Sequence, residues 1–181
     1  MSPGCGHVFW LFGLSGAGKS TLAGSLADAL RAGGTAVLAL DGDRLRAGLC
    51  QGLGFSDADR MENLRRAAET ARLGADSGLC VIAAFITPHE DHRVAIARIV
   101  GPDCLSWIFL DAPLEVCRRR DVKGLYARAA AGQVAQMTGL SSSFDPPARA
   151  DLVVPTARED IARSSARLFA FARSRLGPRP A

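Results

Sequence analysis

Apolar residues along this chain gather in short continuous runs, and between the runs they recur every three or four positions. Runs of five to eight apolar residues suit strands buried on both faces, and the longer periodic stretches suit helices with one buried face. His7 to Leu14, with Val8, Phe9, Trp10, Leu11 and Phe12 in succession, predicts a first strand. Thr21 to Leu30 places Leu22, Leu26, Ala29 and Leu30 at helical spacing, and Gly33-Gly34 marks its stop. Ala36 to Leu40 predicts a second strand ending at Asp41. Beyond a polar stretch, Ser56 is placed to cap a helix from Asp57, with Asp59 three residues on. That helix continues through Leu64, Ala67, Ala68, Ala71 and Ala75, and Gly78 ends it. Leu79 to Ile86 predicts a third strand, Val94 to Ile99 part of a third helix, and Leu105 to Leu110 a fourth strand ending at Asp111. From about Val122 to Ala150 the periodicity gives way to Ala-rich, then Ser-Ser-Ser and Pro-Pro sequence, which is expected to form a mobile flap. Leu152 to Val154 predicts a last strand and Ala157 to Leu176 a closing helix, with a disordered tail over 177–181.

Apolar strands alternating with helices argue for a parallel sheet covered on both faces, a three-layer α/β fold whose active groups gather beyond the strand carboxyl ends. The 181 residues are expected to form one domain. A net charge of +4 raises nucleic acid as a partner, but the arginines are scattered and aromatic residues make up only 6%. A small anionic substrate explains the charge as well, and no nucleic-acid partner is expected. Five cysteines without a C-x-x-C pair point to reduced thiols in a cytoplasm. No apolar stretch approaches the roughly 20 residues needed to span a bilayer, and the first strand begins too soon to follow a signal peptide. A cytoplasmic protein without membrane attachment is expected.

Only two lysines accompany the arginines, Lys19 and Lys123. Lys19 closes Gly13-Leu14-Ser15-Gly16-Ala17-Gly18-Lys19-Ser20, followed by Thr21, and this fits the Walker A pattern G-x-x-x-x-G-K-[ST]. The pattern lies between a predicted strand and a predicted helix, where its chemistry requires it. Glycines let backbone N–H groups approach phosphate oxygens, Lys19 supplies a mobile charge, Ser20 offers a hydroxyl to Mg²⁺, and the helix directs its positive end at the anion. The second strand then delivers Asp41-Gly42-Asp43-Arg44-Leu45-Arg46 beside this site. A carboxylate there either holds Mg²⁺ through water or accepts a proton from an attacking hydroxyl, and catalysis is the preferred reading for Asp43. Capping of the following helix is the other reading, chiefly for Asp41. Arg60 and Asn63, three apart on the predicted third-layer helix, form either an acidic-ligand grip or part of a solvated face.

Taken together, Gly-Leu-Ser-Gly-Ala-Gly-Lys-Ser-Thr, Asp-Gly-Asp-x-x-Arg-x-Gly-Leu, Leu-Gly-Phe-Ser at 53–56, Asp-Arg-x-Glu-Asn at 59–63 and Arg-Asp-Val-Lys-Gly-Leu-Tyr at 120–126 resemble the adenylylsulfate kinases in order and spacing. The resemblance runs from about Phe9 to Thr156. It implies a P-loop kinase fold with a lid, and transfer of the γ-phosphoryl of MgATP to the 3′-hydroxyl of adenosine 5′-phosphosulfate (APS), giving 3′-phosphoadenosine 5′-phosphosulfate. It also implies a homodimer, and leaves a sulfurylase partner open. Carried onto this chain, Gly13 to Thr21 hold ATP, and Asp43 lies beside the acceptor hydroxyl and the metal with Ser20. Arg46, Arg60 and Asn63 contact the phosphosulfate or ribose, Phe55 stacks on adenine, Ile86 lines the pocket, and Lys123 belongs to the closing flap.

Three positions depart from the family pattern. Thr87 stands where a serine regarded as a phosphorylated intermediate is frequent; a direct in-line transfer needs no such intermediate, and Thr87 is expected to present a hydroxyl to the ligand. His89 replaces an aromatic residue, and with His92 it makes only a weak metal pair, lacking a third ligand. Met137 replaces the phenylalanine that stacks on the second face of the substrate adenine, a change expected to cost roughly 1–3 kcal/mol by analogy with base stacking, partly recovered by the polarizable sulfur. A related kinase acting on cytidine diphosphoramidate and a nucleotide-binding regulatory copy are the alternative functions. A guanine switch is excluded because Asn63 is the only asparagine and no Asn-Lys-x-Asp exists. Lys123→Ala is expected to lower kcat by impairing flap closure and charge stabilisation, and steady-state kinetics matching the wild type would reduce Lys123 to a surface residue.

Overall fold

The computed structural model describes residues 6–122, 124–132, 138–140 and 142–177. Its elements in chain order are β1 (His7–Phe12), α1 (Lys19–Ala32), β2 (Val37–Asp41), α2 (Gly42–Arg46), α3 (Asp57–Asp76), β3 (Cys80–Ala84), α4 (Glu90–Val100), β4 (Leu105–Leu110), α5 (Leu114–Arg120), α6 (Leu125–Ala130), β5 (Leu152–Val154) and α7 (Ile161–Leu176). The five strands form one sheet in the order β2-β3-β1-β4-β5. Every pairing is parallel, with Phe9 opposite Ile82 on one side of β1 and Ser106 on the other.

Side chains alternate across each strand, so two cores form. Phe9, Leu11, Ile82, Ile108 and Leu110 meet Leu22, Leu26 and Leu30 of α1 and Leu168 and Ala172 of α7. Val8, Trp10, Phe12, Val81 and Ala83 meet the alanines of α3 and Ile96 and Val100 of α4. All six residues of β1 and all five of β3 are buried. This explains their unbroken apolar runs and gives the three-layer α/β architecture. Helix α3 approaches the sheet closely because its inner face is small: a Cβ on Gly74 would lie 2.9 Å from Leu38 Cδ2 and Val81 Cγ2. Strand order reverses direction at β1, between β3 on one side and β4 on the other, so the loop leaving β1 opens into a crevice.

Several boundaries have local causes. Ser56 caps α3 as expected, its Oγ accepting from Asp59 N at 3.1 Å. Strand β1 ends at Phe12 rather than Leu14, because Gly13 takes φ 145. Strand β3 ends at Ala84 rather than Ile86; Phe85 N still donates to Leu11 O, but the chain turns at Thr87 with φ 46. Helix α7 starts at Ile161 rather than Ala157, capped by Asp160 through Arg163 N at 2.7 Å. The sequence pattern did not disclose α5 or α6, which are too short to show a clear period, and α2 was signalled only by the capping reading of Asp41. Within the expected flap, α6 and a bridge between Thr138 and Ser142 are described. Of the expected tail, 178–181 lie outside the described residues.

The foot of β1 holds a buried titratable group. His7 Nε2 bonds Ser106 Oγ at 2.8 Å, and burial, aided by the Arg175 guanidinium, pushes the imidazole pKa down to about 4. The unfolded chain therefore takes up a proton on His7 near pH 6.5 while the folded chain stays neutral. The contribution is fully present above pH 6.5 and is lost as pH falls toward 4, with a slope approaching about 1.4 kcal/mol per pH unit for one proton. Urea unfolding of wild type and His7→Gln between pH 7 and 4 should show a smaller acid loss in the variant, whereas parallel curves would remove His7 as the cause.

Candidate functional site

The loop leaving β1 is shaped by the bonds its carbonyls make. Lys19 Nζ donates to Gly13 O at 2.9 Å and Leu14 O at 2.7 Å. Tyr126 Oη donates to Ser15 O at 2.9 Å, Arg120 Nη1 to Gly16 O at 3.3 Å, and Thr156 Oγ1 to Ala17 O at 2.9 Å. Gly18 O takes the first helical bond, from Leu22 N. Each carbonyl from Gly13 to Gly18 thus has a donor. Because the C=O and the following N–H of one peptide point in opposite directions, holding the carbonyls of Ser15 and Ala17 outward turns the amides of Gly16 and Gly18 into the crevice. The N-terminus of α1 adds its dipole at the same point. Close packing explains the glycines: a Cβ on Gly16, at φ 79, would lie 2.8 Å from Cys117 O, and one on Gly13 would lie 2.7 Å from Leu110 O.

The donors to this loop are themselves fixed. Tyr126 is 5% exposed, and burial raises its pKa, so the phenol stays protonated as a donor. The amides of Tyr126 and Ala127 bond the Asp121 carboxylate at 3.0 Å each, and these bonds, that from Tyr126 foremost, lower its pKa. Burial raises the pKa of Cys117 beneath the loop, keeping it a thiol despite Lys19 and Arg120 nearby. Cys50, Cys80 and Cys117 are free thiols, and burial holds Cys80 up at about 12.

Beside the loop, Ser20 Oγ donates to Asp41 Oδ2 at 2.7 Å, while Asp41 Oδ1 accepts from Asp43 N at 3.0 Å. Asp41 therefore caps α2, one of its two expected readings, and its other oxygen accepts from the Walker serine. Asp43 is exposed in the first turn of α2, and Arg46 follows one turn later. Arg46 Nη1 donates to Leu53 O and Gly54 O, and its guanidinium lies 4.5 Å from the centre of the Phe55 ring. Arg60 Nε donates to Phe55 O at 2.9 Å, with its guanidinium 5.8 Å from the same ring. Arg60 is only 9% exposed, and burial, then Arg46, lowers its pKa. Two guanidiniums against one exposed ring make a wall that gains from a planar, anionic ligand. On the same buried face of α3, Asn63 is 4% exposed, and among the described residues its Nδ2 has no hydrogen-bond partner.

Hydrogen bonds link Ser20 to Asp41 and Asp41 to Asp43, helix α2 carries both Asp43 and Arg46, and ring contacts join Arg46 and Arg60 to Phe55; Ile86 is half-buried. Thr87 is placed differently from expectation. It is 1% exposed, and its Oγ1 accepts from Trp10 Nε1 at 2.9 Å, so the hydroxyl faces the core. Lys123 and Met137 lie outside the described residues. His89 bonds Asp145 at 3.2 Å, its ring 5.1 Å from that of His92. Among the described residues no group of three or more His, Cys, Asp or Glu is placed to hold a metal ion, and no helix is long and apolar enough to cross a membrane. Sequence reasoning did not single out Tyr126 and Arg120 as loop supports, though both lie in the Arg-Asp-Val-Lys-Gly-Leu-Tyr block. Thr156 gave no signal, its partner being 139 residues away. Removing its hydroxyl isolates this support: Thr156→Val should leave Ala17 O unsatisfied, cost about 1–3 kcal/mol in thermal unfolding and weaken ATP binding severalfold; unchanged ATP affinity by calorimetry would contradict a role in shaping the loop.

Comparison with known proteins places this geometry. A sequence model described as adenylylsulphate kinase matches residues 5–155. The adenylyl-sulfate kinase of Paraburkholderia xenovorans is 50% identical over 170 residues, covering 94% of each chain. That of Yersinia pestis is 49% identical over 147 residues, covering 81% of this chain and 69% of its own. Among solved structures, an APS kinase of Mycobacterium tuberculosis in complex with AMPPNP and APS superposes with a TM-score of 0.89 at 39% identity, covering 94% of this chain and 99% of that one.

Proposed function

Since the chain belongs to the adenylylsulphate kinase family, we propose that it transfers the γ-phosphoryl group of ATP to the 3′-hydroxyl of adenosine 5′-phosphosulfate, releasing ADP. The observation that carries this reading is a phosphate loop whose carbonyls are all bonded, connected through Ser20, Asp41 and the short helix α2 to a wall of Arg46, Phe55 and Arg60 suited to an anion. ATP phosphates seat on the amides of Gly16 and Gly18 and the N-terminus of α1. Lys19 leaves the carbonyls of Gly13 and Leu14 to follow the phosphate charge. The acceptor adenine lies on Phe55, and Arg46, Arg60 and Asn63 hold its phosphosulfate and ribose.

In the transfer the acceptor 3′-oxygen forms its bond to γ-phosphorus as the bond to the β,γ-bridging oxygen breaks. The hydroxyl proton passes to the Asp43 carboxylate. Such a transition state is loose, so most of the acceleration comes from positioning and from charge already in place. Mg²⁺ is the metal that fits this donor set: Ser20 Oγ, Asp41 and Asp43 are hard oxygen donors, and Ser20 and Asp41 already touch. Those three residues would hold it, and it would neutralise charge developing on the phosphoryl oxygens. Lys123 and Met137 keep the flap roles that the family resemblance assigns them. Thr87, with its hydroxyl on Trp10, serves as a structural turn and no phosphoenzyme is invoked. The family resemblance supports a homodimer in the cytoplasm.

Two measurements test this. Incubation with MgATP and a panel of nucleotides should yield 3′-phosphorylated product fastest from adenosine 5′-phosphosulfate, and a preference for a cytidine diphosphate derivative would sink the assignment. Asp43→Ala should lower kcat by roughly 10²–10⁴-fold with ATP affinity nearly unchanged, whereas near-normal turnover in a coupled assay would exclude Asp43 as the proton acceptor.

A further inference from the structure

Thr87 is the one non-glycine among the described residues in the left-handed region, with φ 46°. A residue in that region persists only where its surroundings over-determine it. Trp10 Nε1 holds the side chain at 2.9 Å, and Arg93 Nη1 donates to the Thr87 carbonyl at 3.3 Å. Arg93 is itself 5% exposed, its guanidinium 5.5 Å from the centre of the Phe12 ring. Its other terminal nitrogen donates to Asp145 O at 3.1 Å, and Glu90 balances its charge at 2.7 Å. Asp145 returns two further bonds to the same turn, N to Pro88 O at 2.8 Å and Oδ2 to His89 Nδ1 at 3.2 Å. One residue before the turn, Ile86 O accepts from Gly13 N, the first amide of the phosphate loop. The other root of the flap rests on that loop through Tyr126 and Arg120.

The segment before the flap thus bonds the ATP loop and the segment at Asp145 bonds the turn at Thr87 and Pro88, where Arg93 is the buried group that ties the two together. We propose that Arg93 is a positioning residue for the phosphate acceptor: it holds the Ile86-Thr87 edge of the acceptor pocket in register with the flap root at Asp145. It touches neither substrate. The proposal rests on the reading above, in which this chain phosphorylates a nucleotide acceptor, and on the family resemblance by which Ile86 lines that acceptor's pocket. Its bonds run to backbone carbonyls, so a methionine of similar reach removes them, while a lysine keeps the charge but cannot span both carbonyls in a fixed fork.

The test is steady-state kinetics of Arg93→Met, Arg93→Lys and Asp145→Ala, with thermal unfolding confirming that each is folded. Arg93→Met should raise KM for the acceptor about tenfold and leave KM for ATP within about twofold, a split that general loosening does not produce. Arg93→Lys should fall between it and wild type, and Asp145→Ala should stay within about twofold for both substrates, because Arg93 bonds the Asp145 backbone. An unchanged acceptor KM, a parallel rise in both constants, or a loss reproduced by Asp145→Ala would overturn the assignment. If Arg93→Met does not fold, Arg93→Lys decides by the same split. The wild-type rate with adenosine 5′-phosphosulfate judges the substrate reading separately; were another nucleotide the true acceptor, the ratio would be read on that nucleotide.

Discussion

The arrangement that the rest of the site depends on is the outward bonding of the phosphate-loop carbonyls. A loop that is to present amides to phosphate must do something with the carbonyls of the same peptides, and buried carbonyls without donors are costly. Here four donor side chains come from three parts of the chain: Lys19 within the loop, Tyr126 and Arg120 from the segment after β4, and Thr156 from the segment after β5. The loop is thus held by parts of the chain that only the completed sheet brings together. Its position at the exit of β1, where strand order reverses, follows from the same topology.

The second half of the crevice works by a different balance. Arg46 and Arg60 both lie on Phe55, and neither gains from the other's charge. In the proposed reading an anionic ligand would relieve that repulsion. The chain's preference for arginine over lysine suits this wall, where a planar guanidinium both stacks and forks. Lys19 is the contrasting case. A compact ammonium on a flexible stem can sit on two loop carbonyls and later move to a phosphate, which a rigid fork does less well.

How much of this was legible in the sequence depends on how local the cause is. The strands, α1 and the Ser56 cap of α3 were readable because a run of apolar residues or a cap three residues away carries the whole signal. The crevice residues from Gly13 to Asn63 were readable because their motifs are short and ordered. Helices α5 and α6 were not, being only seven and six residues long. Thr87 was expected to face ligand, and its hydroxyl instead meets Trp10, 77 residues away. No spacing rule could reveal that contact, nor the bond from Thr156 to Ala17, because each is made by the fold as a whole. Asp41 shows the intermediate case: its capping of α2 was legible, while the bond its second oxygen takes from Ser20 was not.

If the loop is a frame built before nucleotide arrives, its backbone must already be rigid in the free protein. Relaxation measurements of backbone amide order parameters at Gly16, Gly18, Lys19 and Ser20, without nucleotide, test this most directly. Values near those of β1, about 0.85, are expected. Values below about 0.6 that rise only on adding MgATP would contradict a preformed cradle.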